Sequence, residues 1–509
     1  MDVQYLGLAH TLQTAAIAAL IFAACALLPK LNYRSQLSKL PVFGAEASGE
    51  KQRQAYLQHA KKIYLEGYAK FKDSVYRIAS SDGEDNVVVP TSLLPELRKL
   101  PDDVLSFSGA IERIMEVKYT NLMTESHLLV QSVRSDLTPA LGRVNSMVRQ
   151  EVNTAVEKFM PACDEWTEVY IYKTLVDVIA QVSGRVFVGP ELCEDPFYID
   201  CATNYTVDMI ESVNEIKKMR PWLRPFLARR TPAMRRLRQK EKDLIEYLRP
   251  VVRQRQEAAK DPNWEKPDDM TQWILDRSAG DKLPVAEYAR MQLSLIFAAI
   301  HTTSTTALNI FYTLAVTPEY TEPLREEIRS VLAEHDGEIT TKALQQMEKL
   351  DSYMKEVIRF YPIGMTSFTR KVNKGITLSN GQHIPAGVVL EVPSHAVYSD
   401  PALWPNSEQF DGLRHYRLRR AGAAGGAPDH ARNQFVTTNE QNLMFGYGRH
   451  ACPGRFFATN EIKMIVAKIL LDYDIAMPGG ATERYTQIEQ GRGMNPDPTK
   501  ALVFRKVRA

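Results

Sequence analysis

The segment Phe445–Ala458, FGYGRHACPGRFFA, decides how this chain folds around its one well-marked cysteine, Cys452. The glycines before that cysteine tolerate positive φ and let the backbone pack closely against a flat group. Pro453 has no N–H, so the amides available to a thiolate belong to Gly454 and Arg455. These amides lie at the start of a predicted helix, whose partial positive charge stabilises an anion. On these residues alone, a buried structural cysteine is an alternative interpretation.

Length and composition are those of an ordinary globular protein. The 509 residues are 44% hydrophobic and 24% charged, enough for a sizeable core. A net charge of +2 gives no overall attraction to nucleic acid. The cysteines are odd in number and irregularly spaced, which argues against a disulfide framework or a zinc pattern and indicates a reducing compartment. They are Cys25, Cys163, Cys193, Cys201 and Cys452.

The first 29 residues read as a membrane anchor. Val3 to Pro29 contains no Asp, Glu, Lys or Arg, and about 20 apolar residues suffice to span a bilayer. Lys30 and Arg34 follow the apolar run, and such cations stay cytosolic, which puts the N-terminus in the lumen. We therefore expect a single-pass anchor at 1–29 and one cytosolic domain at 30–509. A cleaved signal peptide is the alternative, although the basic segment that should precede its apolar core is missing.

The remainder of the chain is predicted to be mainly α-helical with small β-sheets. Val285–Val316 reads as one long helix, apolar on several sides, that contains Thr302 and the polar residues beside it. Hydroxyls in such a helix bond back to carbonyls four residues earlier, so a core helix with satisfied hydroxyls is an open alternative. Helical periodicity also covers 127–158, with an interruption at Pro139, and continues over 166–186. Short strand-like runs follow at 376–378 and 388–392.

Two further stretches carry charge. Glu356 and Arg359 lie three residues apart on one helix face, a spacing that alone is worth under ~1 kcal/mol at a surface. Lys217–Lys240 holds ten Lys or Arg residues, no acidic residue and several apolar ones. That segment is either a solvated helix face or a loop that meets an anionic membrane surface. No nucleic-acid module accompanies it, so we exclude nucleic acid as a partner.

These stretches, taken in order, resemble the heme-thiolate monooxygenases of the cytochrome P-450 superfamily. The resemblance covers the chain from the anchor to the end. It rests on the threonine of the long helix, on Glu-x-x-Arg, on Phe410–Arg414 and on the cysteine turn. The exact residues of the cysteine turn and of the segment 299–303 are most similar to those of fungal microsomal members. Many of those members act in secondary metabolism. It implies a cytochrome P-450 fold, with 30–509 as the catalytic domain.

The resemblance implies heme b as cofactor, with Cys452 as the axial iron ligand. Arg134 matches a helix cation of the family, although an aromatic residue expected four positions earlier is Val130 here, and a solvated arginine is the alternative. Thr302 matches the threonine that feeds protons to bound oxygen. The acid that precedes it in the family is replaced by His301, so His301 or water has to complete the relay. The residues expected to hold the cofactor are Cys452, His450, Arg370, Arg134, Phe445, Gly446 and Gly454.

The same resemblance supplies two more groups of residues. Glu356, Arg359 and Arg414 are expected to form a buried structural network behind the cysteine turn. The substrate pocket is expected to be lined by residues of the long helix, of the segment after Pro362 and of a C-terminal turn. Plain core packing is the alternative for each of these. They are Phe297, Ala298, Ile363, Gly364, Met365, Thr366 and Met494.

The function implied is oxidation, in one or several steps, of an apolar fungal natural product such as a terpenoid, indole-terpenoid or polyketide. Oxygen is the oxidant, and electrons come from NADPH through a membrane-bound reductase that docks on the cysteine side. The expected location is the endoplasmic reticulum membrane. Because the acid before Thr302 is missing, rearrangement, desaturation or coupling of the substrate is kept as an alternative. A non-enzymatic heme sensor is the other.

Overall fold

A computed structural model describes residues 2–44, 50–81, 84–278, 283–423 and 431–508. Helices make up most of the described chain, and the strands form small sheets, which confirms the predicted fold class. The helices are α1 (Asp2–Leu37), α2 (Glu50–Lys70), α3 (Leu94–Leu97), α4 (Phe107–Ile114), α5 (Val117–Thr120), α6 (His127–Ser132), α7 (Thr138–Phe159), α8 (Ile171–Phe187), α9 (Pro196–Lys218), α10 (Arg224–Leu227), α11 (Pro232–Ala258), α12 (Met270–Arg277), α13 (Val285–Leu314), α14 (Thr321–Glu334), α15 (Thr341–Gln346), α16 (Glu348–Phe360), α17 (Ser394–Tyr398), α18 (Arg414–Ala423) and α19 (Arg455–Asp472).

The strands pair into one mixed sheet and several small antiparallel units. The mixed sheet has the order β1-β2-β8-β5-β3, with β2 and β8 parallel. A second sheet has the order β4-β12-β9, and the pairs β6–β7 and β10–β11 stand alone. The strands are β1 (Tyr76–Ala79), β2 (Asp85–Val88), β3 (Leu105–Ser106), β4 (Thr167–Val169), β5 (Ser367–Val372), β6 (Ile376–Thr377), β7 (His383–Ile384), β8 (Val389–Val392), β9 (Tyr473–Ala476), β10 (Ile488–Gln490), β11 (Gly493–Asn495) and β12 (Leu502–Lys506).

The long helix α13 forms the centre of the main hydrophobic core. It begins directly after Pro284, and most of its residues are buried against α8, α9 and α11. A helix that is apolar on several sides has to be covered on several sides, which explains why three helices pack on it. The central helix was predicted correctly, except that its predicted end, Val316, lies two residues beyond the observed end at Leu314.

The N-terminal helix α1 continues past the predicted anchor, through Pro29 to Leu37. By length and composition, two described helices are apolar enough to cross a membrane: the Leu12–Leu37 part of α1, and α13. Of an 18-residue apolar stretch in α13, 61% is buried inside the protein, as in a core helix, whereas the corresponding stretch within Leu12–Leu37 is 0% buried. An apolar stretch that the protein leaves uncovered has to be covered by something else, which is consistent with membrane anchoring.

Two local predictions differ from the structure. The predicted continuous helix 166–186 starts with a strand, because Val169 pairs with Leu502 of β12. The interruption expected at Pro139 lies just before it, where Val133–Leu137 forms a π-helical turn and α7 then begins at Thr138. The helical run 127–159 is continuous, and its π-helical turn lies where Pro139, which has no N–H, cannot make the hydrogen bond to the preceding turn.

Candidate active site

The cysteine turn is held by backbone hydrogen bonds and two left-handed glycines. Gly446 and Gly448 have φ of 75° and 72°, a conformation that favours glycine. The N–H of Cys452 donates to the carbonyl of Phe445 over 2.7 Å, which closes the turn. Helix α19 starts at Arg455, as predicted. The cysteine therefore stands at the N-terminal end of an 18-residue helix.

The thiol of Cys452 lies among the donors that the sequence predicts. Burial raises the pKa of the thiol, while the backbone N–H groups of Gly454 and Arg455 and the charge of Arg455 oppose that rise. The Arg455 guanidinium also donates to the Cys452 carbonyl over 2.9 Å. These groups favour a thiolate, which is the form that ligates a metal.

Thr302 and Ala298 form an opening on the otherwise buried helix α13. Both residues are exposed, although Ile300 and Thr303 beside them are buried. The Thr302 hydroxyl donates to the Ala298 carbonyl over 2.8 Å, one turn back along the helix. A side chain exposed in the middle of a core helix faces a space inside the fold. This opening has the small residues expected of a groove above a flat cofactor.

His301 faces helices α8 and α9, and both of its ring nitrogens have partners. Nδ1 lies 2.8 Å from the hydroxyl of Tyr172, and Nε2 lies 2.8 Å from the carbonyl of Thr203. A carbonyl only accepts, so Nε2 carries the proton, and the neutral ring accepts from Tyr172 at Nδ1. Burial lowers the pKa of His301, which favours this neutral form. Sequence reasoning missed Tyr172, because no motif marks a tyrosine at the start of α8.

Arg370 and His450, both predicted to bind the cofactor, contact the same aromatic ring. The Arg370 guanidinium lies 5.2 Å from the ring centre of Phe107, which stacks on His450 at 5.6 Å. Burial lowers the pKa of Arg370 to about 10. Among the described residues, no carboxylate lies within ion-pair distance of this guanidinium. His450, in contrast, has the carboxylate of Asp102 at 2.6 Å from Nε2.

Arg134 reaches the cysteine turn from the π-helical segment. Its guanidinium donates to the Arg449 carbonyl over 2.6 Å. Burial lowers the pKa of Arg455, and the positive charge of Arg134 lowers it further. The side chain is exposed. The structure thus places the Arg134 guanidinium against the cysteine turn at Arg449, three residues before Cys452 in the sequence. The exposed side chain also fits the alternative interpretation, a solvated arginine.

The predicted charge network is buried and complete. Glu356 is 0% exposed, and Arg359 binds it through two nitrogens at 2.8 and 2.7 Å. Arg414 contacts the same carboxylate at 3.1 Å, and His415 lies 3.4 Å away. Burial opposes ionisation of Glu356, but the hydrogen bonds of Arg359 and His415 outweigh it and lower its pKa to about 2. Arg359 also donates to the Tyr398 carbonyl over 2.7 Å, so the network joins separate segments.

The predicted pocket residues divide into two groups. Phe297, Ile363, Gly364 and Thr366 are half-buried, and Ala298 is exposed. In contrast, two methionines are enclosed in a small separate core that contains tyrosines from α2 and β1. These are Met365, which is 0% exposed, and Met494, which is 3% exposed. Gly364 and Gly493 form a β-bridge, so the two chain segments do meet.

A cysteine at a helix start, an opening on the central helix and a buried Glu-x-x-Arg network define a heme-thiolate enzyme. The chain belongs to the cytochrome P450 family, whose model matches residues 114–503. It is 38% identical over 505 residues to the cytochrome P450 monooxygenase TES1 of Alternaria alternata, covering 99% of this chain and 95% of that one. The monooxygenase braC of Annulohypoxylon truncatum is 34% identical over 496 residues, covering 96% and 97%. The monooxygenase ATR3 of Stachybotrys chlorohalonatus is 37% identical over 423 residues, covering 82% and 88%.

The family confirms several predictions at once. The chain is a monooxygenase, so the alternative of a non-enzymatic heme sensor is removed. The family implies a small substrate and heme b as cofactor. It also implies electrons that arrive from NADPH through a reductase. The described residues fit that cofactor. Arg370 is a buried cation without a carboxylate partner, as suits an anionic propionate, and Cys452 lies among N–H donors that suit a thiolate.

Proposed function

We propose that this enzyme oxidises an apolar natural product and that the Cys452 thiolate would hold the heme iron. The observation that carries this proposal is the position of Cys452 at the start of α19, among the N–H groups of Gly454 and Arg455. Those groups hold the thiolate and limit how much electron density it donates. When bound, heme b supplies the redox chemistry that activates oxygen.

We assign the remaining contacts to the cofactor residue by residue. Arg370 and His450 would bind the acidic side of the heme, and Arg134 would fix the cysteine turn from the opposite flank through Arg449. Phe445, Gly446 and Gly454 form the turn itself, and a Cβ at Gly446 would come within 3.4 Å of the His450 carbonyl oxygen in the same turn. The buried network of Glu356, Arg359 and Arg414 holds the segment behind the turn and takes no part in chemistry.

Thr302 is proposed to hold a proton donor in the opening of α13. Its hydroxyl bonds to Ala298 over 2.8 Å and can turn to accept from or donate to a water in that opening. A part for His301 in proton transfer stays a prediction. Its contacts favour another role, because both ring nitrogens bind residues of other helices, which makes it a positioning residue for α13.

The proposed substrate is a terpenoid, indole-terpenoid or polyketide of fungal secondary metabolism. Support comes from the half-buried Phe297 next to the exposed Ala298 on α13, from the half-buried Ile363, and from the fungal relatives. Rearrangement, desaturation or coupling is a second candidate. It is favoured by one specific observation, the replacement of an acid by a histidine whose nitrogens are both occupied.

We further propose residues 1–29 as a single-pass anchor in the endoplasmic reticulum membrane, with 30–509 as the cytosolic catalytic domain. Support comes from the unburied helix and the cations Lys30 and Arg34 after its apolar run. Membrane lipid would also meet Trp222 and Phe226, which are 64% and 68% exposed in the basic segment. The reductase is proposed to dock on the cysteine side, where Arg134 is exposed.

Product analysis tests this function. A fungal host with and without the chain is compared for metabolites, and microsomes are then assayed with and without NADPH, reductase and oxygen. We expect a new metabolite that contains one added oxygen atom and forms only when all three are present. A product of unchanged oxygen content would favour desaturation or coupling, and a product that forms without oxygen would contradict the proposal.

A further inference from the structure

A pocket of about 340 Å³ opens between α2, α4, the end of α9 and the β10–β11 turn. Its lining has a strong local excess of positive charge. Among the described residues that line it there is no Asp or Glu, although the whole chain is balanced, with 63 basic and 61 acidic residues. We call it the basic pocket. Its cations are Arg53, Arg113, Lys217, Lys218 and Arg492.

Carboxylates outside the lining offset only part of this charge. These ion pairs are Arg53 with Glu50 at 3.3 Å, Arg113 with Glu84 at 2.8 Å and Arg492 with Glu391 at 3.7 Å. Lys218, at the end of α9, adds a positive charge that has no ion pair among the described residues. Cations that converge on a concave space raise the local concentration of anions there.

One lining residue of the basic pocket, Arg492, is hydrogen-bonded to the segment that is predicted to line the substrate pocket. The N–H of Met365 donates to the carbonyl of Arg492 over 2.9 Å, and Gly364 forms a β-bridge with Gly493. Gly364 belongs to the segment predicted to line the substrate pocket. A molecule whose head binds the cations beside Arg492 would therefore have its body next to this segment.

We propose that the basic pocket binds the carboxylate of an amphipathic substrate, whose apolar part passes Gly364 toward Thr302. This inference rests on the proposed function and narrows its substrate class. Guanidinium groups bind carboxylates through paired hydrogen bonds, whereas lysine ammonium groups add positive charge without a fixed hydrogen-bond geometry. Hydrogen bonds to charged groups are strong enough to give about a tenfold preference for the carboxylate over a neutral analogue. The same attraction weakens in high salt.

Spectral titration of the full-length holoenzyme in a non-ionic detergent tests the proposal. The probes are dodecanoate and dodecanol, which share an apolar chain and differ in charge, and the readout is the Soret shift on binding. We expect dodecanoate to bind about tenfold tighter at low salt, with that preference falling as salt is added. In R53E/K218E the preference should disappear, while dodecanol binds as before.

The matched control is Arg253→Glu, which reverses one exposed charge on α11 outside the pocket and should keep the preference. Equal binding of the two probes by the unaltered enzyme overturns the proposal. So does a preference that R53E/K218E retains. If R53E/K218E instead loses binding to vesicles with 20% phosphatidylserine and keeps the dodecanoate preference, the pocket binds a lipid headgroup and the proposal is wrong. A red-shifted CO band in each variant separates these outcomes from failure of the heme-thiolate assignment.

Discussion

The hydroxyl of Tyr172 on α8 lies 2.8 Å from Nδ1 of His301 on α13. On its other side, the same ring reaches the Thr203 carbonyl on α9. The imidazole thus joins three helices at the position where the family usually has an acid. A neutral ring with both nitrogens occupied holds the central helix in place, and we propose that this is its main role.

His301→Leu should therefore lower stability more than it lowers coupling. The change leaves the Tyr172 hydroxyl and the Thr203 carbonyl without their partner, at a cost of about 1–3 kcal/mol each when such groups stay buried. Thermal unfolding followed by heme absorbance measures the loss. His301→Gln keeps one donor and one acceptor and should recover much of it. If instead both variants unfold like the original enzyme and lose product per NADPH, His301 acts in proton transfer.

Thr302→Ala should separate NADPH consumption from product formation. A positioned proton donor contributes about 10²–10⁴-fold to a rate, so we expect product per NADPH to fall by roughly tenfold and peroxide to rise. Thr302→Ser, which retains the hydroxyl beside Ala298, is the control. Peroxide and product are quantified against NADPH used in the same reaction. Unchanged coupling in Thr302→Ala would show that water alone, or His301, suffices.

Cys452→Ser should abolish the red-shifted Soret band of the reduced CO complex. A serine oxygen keeps the shape of the turn but does not supply a thiolate to the iron. Cys201→Ser, at a buried cysteine on α9, is the matched control and should retain the band. A band that survives in Cys452→Ser would remove the ligand assignment and with it the proposed function.

Local sequence rules predicted the central helix, the start of α19 and the Glu356–Arg359 pair, because each depends on periodicity, a helix boundary or a short spacing. The resemblance then gave the family. The strand at Thr167–Val169 was missed, since it forms only by pairing with β12 near the other end of the chain. Helix periodicity cannot report a partner that lies so far along the sequence.

The candidate site shows the same division. The sequence placed Arg370 and His450 together only through the resemblance, and the ring of Phe107 that joins them was not predicted. Tyr172 was missed for the same reason, since its contact with His301 crosses between helices. Met365 and Met494 are enclosed in a separate core, a difference that depends on the packing of α2 and that no local pattern encodes.

Acid should destabilise the enzyme partly through His395. Burial lowers the pKa of this residue to about 4, from 6.5. The unfolded chain therefore binds the proton more tightly, so its contribution to stability is complete above pH 6.5 and is lost as the pH falls toward 4. The difference corresponds to about 3 kcal/mol. His395→Gln should make the fall in Tm between pH 6.5 and 4 less steep. An equally steep fall in the variant would show that protonation of His395 does not contribute to the acid destabilisation.

The buried network should fail when Arg359 is shortened. Arg359→Ala leaves Glu356, which is 0% exposed, without its two-nitrogen partner, and breaking a buried ion pair costs about 3–5 kcal/mol. Because Arg359 also binds the Tyr398 carbonyl, we expect loss of heme together with loss of stability, measured as heme per protein and as Tm. Arg329→Ala removes an exposed pair with Glu322 and should cost under ~1 kcal/mol. Arg359→Lys keeps the charge but not the paired geometry and should lie between them. Full heme content in Arg359→Ala would show that Arg414 and His415 alone hold Glu356.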